Sequence, residues 1–415
     1  MNTGKSLLSR GISAIEGSVL NLTDFRWLWS SQTISAIGDQ VFPIAATVSV
    51  LNAGGTAADL GLVLGARWLA VVLFALVGGV WADRLPRRMV MMVADLFRAA
   101  AIGVVVIYPG NMPVPALAAL VFAVGAGEAF FRPAESALLP QLVPSERLPA
   151  ANGLVSISSR SAAVIGPGIG GLLVAGFGQI HLAYAVNSLT FLLSFVCLFF
   201  VHEPPRQDQP KTEPFLRELG DGLREVRSQP WLFACLIAGA FMLMTVIAPE
   251  EVLLPIIGRR EFGDDSVFAA SLAAFALGGI LGAIFAIRFK PRHPGQTAWM
   301  LGLAFGLIPL ALIFPVSRWL IIGAYFIAGA AWEPWAIWWN SAVQRGVPPD
   351  RLARVTSVDW MATFALMPLG LALTGPLVAR VGETTVLIGV ICCLLTISFT
   401  VLRVPGVRDF RLPSD

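Results

Sequence analysis

Apolar positions in this chain come in long blocks separated by short polar breaks. A helix needs about 20 predominantly apolar residues to cross the hydrocarbon of a bilayer. Twelve blocks reach that length: 25–52, 59–82, 89–108, 115–138, 151–176, 180–202, 230–257, 266–289, 296–315, 318–341, 355–380 and 383–403. They lack the alternation of barrel strands, and backbone groups in lipid must be bonded within their own segment, so the pattern predicts twelve transmembrane helices. Gly61/Gly65 and Gly278/Gly282 have the small-xxx-small spacing that lets helices approach closely. The one long polar stretch, 203–229, falls near the middle. Within it Phe215, Leu219, Leu223 and Val226 recur at helical spacing, which predicts a short amphipathic helix on the membrane surface. The expected organisation is a polar segment 1–24, a six-helix bundle 25–202, a linker 203–229, a second bundle 230–403 and a tail 404–415.

Charge orients this plan. Of 29 Lys and Arg residues, 21 lie in the two terminal segments and the alternate connections that share their face, against four on the opposite face. The positive-inside rule then puts both termini in the cytoplasm, which agrees with an even span count. Composition excludes other classes. Charged residues are 13% of the chain and hydrophobic ones 56%, where a soluble domain has about 25% charged. A soluble enzyme and a nucleic-acid binder are thereby excluded. The four cysteines sit in apolar runs with no CxxC or Cys/His grouping, so neither a disulfide framework nor a metal site is indicated. No HExxH, GxSxG or GxxxxGK[ST] occurs, so no enzyme, cofactor or nucleotide-driven mechanism is expected. A basic set of 26 Arg and 3 Lys, with abundant Ala and Gly, suggests a GC-rich bacterial source.

The halves repeat at an offset of 204 residues. Trp27-Leu28 maps to Trp231-Leu232, Gly78 to Gly282, Arg84 to Arg288 and Arg88 to Arg292. Val143-Pro144 maps to Val347-Pro348, and Gly178 to Gly382. One register held across both halves predicts two six-helix bundles related by an axis along the membrane normal, with a substrate site between them near the midplane.

Specific motifs refine the class. After the second span stands Gly79-Val-Trp-Ala-Asp83-Arg84-Leu-Pro86-Arg87-Arg88. Gly79 permits close approach, Asp83 can accept hydrogen bonds from a helix N-terminus, and the arginines suit an anionic cytoplasmic surface. The stretch resembles the major facilitator signature G-x-x-x-D-R-x-G-R-R, with Trp81 and Pro86 as departures. The resemblance implies a cytoplasmic latch, to which Arg132 is added as a partner of Asp83. Gly166-Pro167-Gly168-Ile169-Gly170-Gly171 looks like the G-P-x-x-G-G signature of major facilitator antiporters. Arg132–Leu154, Gly38-Asp39 and Asp95-Leu-Phe-Arg98 resemble drug:proton antiporters of the branch that includes macrolide-efflux proteins and the enterobactin exporter. The likeness covers about residues 20–405. The Arg usual in the middle of the fourth span is absent, with Val121 and Phe122 near that position.

Ionisable groups inside a bilayer are costly and mark function. Counting depth at about 1.5 Å per residue sets Asp39 level with Arg67, and Glu128 level with Arg160, as expected pairs. Arg98 lies at similar depth, with Asp95 one turn from it. Asp39 or Glu128 is the expected proton carrier, the alternative being a static ion pair. Phe42 is expected on the cavity wall. Glu333 and Asp359 are expected at an inner gate, and Glu250 and Glu251 at an outer rim. Trp332, Trp335, Trp338 and Trp339 crowd the tenth span, either as an aromatic cavity for amphipathic or cationic cargo or as interface anchors. The expected function is proton-coupled efflux of a small hydrophobic or amphipathic compound by a monomer in the cell membrane. The alternative is an uptake permease or lysophospholipid transporter of the same fold.

Overall fold

The computed structural model describes residues 19–108, 112–204 and 215–410, with the side chains of 76, 79, 80, 82–84, 215–219, 221, 349, 350 and 353 outside the description. Twelve helices are long and apolar enough to span a bilayer, and no strand occurs among the described residues. The first bundle holds α1 (Thr23–Asn52), α2 (Ala57–Arg84), α3 (Arg87–Ile107), α4 (Val114–Leu142), α5 (Leu148–Gly171) and α6 (Ile180–Phe199). The second holds α7 (Pro230–Phe262), α8 (Ser266–Arg288), α9 (Pro294–Ile313), α10 (Arg318–Gly346), α11 (Pro349–Val381) and α12 (Glu383–Val401).

Local chemistry sets the breaks. Thr56 and Asp59 form a reciprocal capping box that starts α2. Helix α11 is interrupted at 365–366, because Pro368 at the start of its second segment has no N–H to continue the ladder. Helix α7 carries a π-turn at Leu243–Ile247, just before Pro249. Helix α5 runs into a π-turn at Leu172–Gly176, beyond Pro167 and its glycines. Such turns store a local irregularity and recur at functional positions.

The 204-residue repeat is structural. Helices α4 and α10 begin and end at positions that correspond through it. Gly178 and Gly382 correspond too, and both have left-handed φ, +65° and +81°. A β-carbon on Gly166 would lie 2.3 Å from Gln40 Cβ, and one on Gly370 would lie 2.4 Å from the Met244 carbonyl oxygen. Gln40 and Met244 are themselves one repeat apart, so the fifth helix meets the first in the same way in each bundle. The small-residue spacings also do what their pattern requires. Gly61 and Gly65 face Leu371 and Pro368, and Gly278 and Gly282 face the Phe326 and Ala330 carbonyls.

Connections alternate between two faces. On the arginine-rich face, Glu203 accepts from the backbone N–H groups of Arg87 and Arg88 at 3.0 Å each, Asp24 meets His202, and His293 meets Asp409. On the opposite face Arg260 pairs with Glu383 and Arg318 with Asp264. The linker helix Phe215–Ser228 lies on the arginine-rich face. It docks on α11: Gly222 sits against the Arg354 carbonyl, and Arg351 Nη1 reaches Glu225 Oε2 at 2.5 Å. The bundles are sealed at the face away from the arginine-rich loops. There β-carbons on Gly61, Gly375 and Gly171 would fall 2.1 Å from the Leu371 carbonyl oxygen, 2.2 Å from Ala58 Cα and 2.5 Å from Ala269 Cβ. Nearer the arginine-rich loops Ser156 and Ser159, which share one face of α5, are exposed. A polar face in mid-helix fits a cleft open toward that side.

Candidate functional site

A buried ionic cluster occupies the centre of the first bundle. Arg98 of α3 is 1% exposed at its side chain, and its guanidinium lies between the rings of Phe131 and Phe191, at 4.6 and 4.1 Å from their centroids. It bonds Asp95 Oδ1 at 2.5 Å, while Asp95 Oδ2 accepts from the Ser194 hydroxyl at 2.5 Å. Gly127 permits this packing, since a β-carbon there would meet Arg98 Cγ at 2.6 Å. On α4, Glu128 is gripped from both sides. Arg67 Nε donates to Oε2 at 3.0 Å, and Arg132 Nε donates to Oε1 at 2.9 Å.

Asp39 is held differently. Its Oδ2 is 3.7 Å from Arg98 Nη1, beyond hydrogen-bond length, and its side chain is 20% exposed. Glu135, which the sequence reading did not single out, sits one turn beyond Arg132 within the field of the same cluster. Three carboxylates (Asp39, Asp95, Glu128) thus pair with three guanidiniums (Arg67, Arg98, Arg132). Of the three carboxylates, Asp39 has the longest contact and the most exposed side chain, so it is the one least tied to its cation.

The structure rearranges the expected pairs. Arg67 pairs with Glu128 rather than Asp39, and Asp39 faces Arg98. Arg160 does not meet Glu128; its Nη1 crosses to Glu333 Oε1 of α10 at 2.6 Å. Depth along a helix gives the level of a side chain but not its azimuth, which explains the exchange. Glu333 therefore joins the bundles at mid-depth instead of standing at an inner gate. Across the α2–α11 contact Trp68 stacks on Phe364, at 4.9 Å between centroids. Phe42 is turned into the first bundle against Tyr184 and is core, not cavity wall.

In the latch motif Gly79, Asp83 and Arg84 have side-chain positions outside the described residues, so that role stays with the sequence. Arg87 Nη1 donates to the Ala137 carbonyl and Arg88 Nη2 to the Phe199 carbonyl, which ties the loop to the ends of α4 and α6. Arg132, expected near Asp83, serves Glu128. In the glycine motif Gly166 and Gly170 pack α5 on α1, Gly171 packs it on α8, and Pro167 is buried. Glu250 is only 3% exposed, and its Oε1 has no hydrogen-bond partner.

The repeat relates this cluster to a cavity in the second bundle. Adding 204 takes Asp95 to Trp299, Arg98 to Gly302, Glu128 to Trp332, Arg132 to Ala336, Glu135 to Trp339 and Asp39 to Leu243. All six second-bundle residues line one cavity of about 190 Å³, together with Trp335, Trp360, Phe364 and Asp359. Trp332, Trp335 and Trp339 stack in a column, at 5.6 and 5.8 Å between centroids. Asp359, expected at an inner gate, lies on this cavity wall. Charges fill the locus in one half, and indoles surround a void in the other.

Residues 28–370 match the Major Facilitator Superfamily, and the chain belongs to that family. It is a transporter, and its twelve apolar helices and bacterial relatives make it a multi-pass protein of a bacterial cell membrane. It is 28% identical to the multidrug efflux pump Tap of Mycolicibacterium fortuitum, over 93% of this chain and 97% of the relative. It is 26% identical to macrolide efflux protein A of Streptococcus pyogenes, over 86% and 90%. An uncharacterized MFS-type transporter, YfiS of Bacillus subtilis, is 27% identical over 92% and 94%. Among solved structures, a point mutant of the nucleoside transporter NupG superposes with a TM-score of 0.72 at 12% identity, covering 91% of this chain and 99% of that one. A bacterial homologue of the iron transporter ferroportin gives 0.72 at 16% identity, covering 92% and 98%. These two likenesses carry the fold.

Proposed function

We propose that this protein exports a small hydrophobic or amphipathic compound in exchange for protons, by alternating access. The observation that carries the coupling is the uneven hold on the intramembrane carboxylates of the first-bundle cluster. Asp39 is the place of the coupled proton. Glu128 is clamped by two arginines and Asp95 by Arg98 and Ser194, whereas Asp39 is loosely held and partly open. A carboxylate beside an arginine is held ionised by the charge and pushed toward neutrality by burial, so a small movement of Arg98 shifts the balance. Asp39 is thus protonated from one side and discharged to the other as the bundles rock.

With the arginine-rich face in the cytoplasm, the conformation described above is open inward and sealed outward. The Arg160–Glu333 pair and the Gly61, Gly171 and Gly375 seams hold that state. The efflux named for two relatives, Tap and macrolide efflux protein A, supports outward transport. The test is proton release from lightly buffered, purified protein challenged with a panel of amphipathic compounds. At least one compound is expected to release protons from wild-type protein and none from Asp39→Asn. Release that survives Asp39→Asn unchanged would place the proton elsewhere.

A further inference from the structure

The geometry points to the tryptophan-lined cavity of the second bundle as a binding subsite for an organic ammonium group of the cargo, with Asp359 as its counter-charge. The inference rests on the transport reading for its purpose and goes beyond it in naming a site and a ligand chemistry.

Three features carry it. The first is the void itself. The repeat puts it where the first bundle holds its ion cluster, with the acids Asp95, Glu128 and Glu135 answered by Trp299, Trp332 and Trp339. Exchanging a filled ionic network for indoles around an opening is what a cargo pocket requires and a structural core does not. The second is the wall. Trp332, Trp335 and Trp339 present a stacked column, Trp299 meets Trp335 edge-on at 6.1 Å, and Trp360 leans on Phe364 at 4.7 Å. Indole faces carry negative potential and attract cations, best when desolvated. The third is the charge. Asp359 is the one ionisable group among the described residues of the wall; Asn340 and Thr363 are its polar neighbours there. Its Oδ2 accepts from Trp339 Nε1 at 3.2 Å, and no Arg, Lys or His among the described residues forms an ion pair with it.

A carboxylate fixed by an indole N–H among aromatic faces, and lacking a protein cation, is complementary to an alkylated ammonium. The volume of about 190 Å³ lies below the roughly 300–1,000 Å³ of a whole drug-sized site. The cavity therefore takes one charged group or ring of the cargo, with the remainder in the cleft. Phe364 links it to that cleft, being both on the cavity wall and stacked on Trp68 across the bundles.

The test uses the full chain in lipid nanodiscs, without any gradient. Five of the twelve tryptophans line the cavity, so intrinsic fluorescence reports its occupancy. Benzyltrimethylammonium is titrated beside its uncharged isostere, neopentylbenzene. Saturable quenching by the cation is expected, with half-saturation raised about tenfold by Asp359→Asn, a loss of about 1.4 kcal/mol. The isostere is expected to respond equally to both proteins. Trp335→Leu, which removes one cage wall and leaves Asp359 in place, supplies the same comparison should Asp359→Asn fold poorly, and is expected to weaken the cation selectively. Cation half-saturation within about twofold of wild type in the folded variant overturns the site, as does an isostere that binds as tightly as the cation. Charge-selective binding alongside efflux indifferent to protons would contradict the coupling reading alone. Proton-driven efflux alongside charge-blind binding would contradict this subsite alone.

Discussion

Arg160 of α5 and Glu333 of α10 form a 2.6 Å ion pair that joins the two bundles at mid-depth. Because it bridges bodies that must part, it acts as a latch on this conformation. Glu333→Gln is expected to lower transport by weakening the state shown here. The exchange Arg160→Glu with Glu333→Arg is expected to recover part of the loss. Transport by the three proteins at matched expression checks this; a swapped pair no better than Glu333→Gln alone contradicts it.

The seam opposite the arginine-rich loops depends on absent side chains. A β-carbon at Gly61 would lie 2.1 Å from the Leu371 carbonyl oxygen, which backbone atoms cannot yield. Gly61→Val should therefore prop the seam open. In a protein stripped of its four native cysteines, a cysteine introduced at Leu371, which is fully buried at this seam, is expected to react faster with a water-soluble maleimide when Gly61 is Val. Equal rates would mean that the seam is not closed by these glycines.

Arg98 is expected to be a stability residue before it is anything else. It is enclosed by Asp95, Phe131 and Phe191, and its loss leaves buried carboxylates without a counter-charge. Breaking such a pair costs about 3–5 kcal/mol. Arg98→Ala should show a markedly lowered melting temperature in detergent, and Arg98→Lys a smaller drop, since ammonium lacks the planar face that stacks on both rings. Wild-type melting of Arg98→Ala would contradict the enclosure.

One acid outside the spans gives a pH prediction. Ser266 donates its backbone N–H, at 2.9 Å, and its hydroxyl to Asp264 Oδ1, and these bonds hold the carboxyl below its ordinary value. A lowered folded pKa adds stability that is present above the unfolded value of about 3.9 and lost as pH falls through the folded one. Asp264→Asn keeps an acceptor but loses the charge. It should melt slightly below wild type at pH 7, with the gap narrowing below about pH 4. A gap that is constant with pH contradicts the assignment.

The twelve spans were legible because lipid admits few backbone solutions, though the fourth, seventh and tenth helices run four to five residues past the expected ends and the eleventh starts six residues before its expected start. The two-bundle plan was legible because Gly178 and Gly382 keep one register. Arg132 was read as part of the cytoplasmic latch and Glu135 was passed over, whereas Asp39, Arg67, Asp95, Arg98 and Glu128 were legible as intramembrane charges. Their partners were not, since Arg67, Glu128 and Arg160 share a level while facing different ways around their helices. The most informative relation was present in the sequence and went unread. Extending the same register from Asp95, Glu128 and Glu135 reaches three tryptophans, but acid-to-indole correspondence looks like lost similarity until the two loci are superposed. Glu250 shows the converse: its depth was readable, its missing hydrogen-bond partner only from packing.

The central claim is that Asp39 carries the coupled proton. It is tested most directly in proteoliposomes, using a compound from the panel that releases protons, by comparing two modes of transport in wild type and Asp39→Asn. The account predicts that Asp39→Asn loses transport driven by a pH gradient yet still exchanges labelled for unlabelled compound across the membrane without one. Gradient-driven transport by Asp39→Asn at the wild-type rate would contradict it.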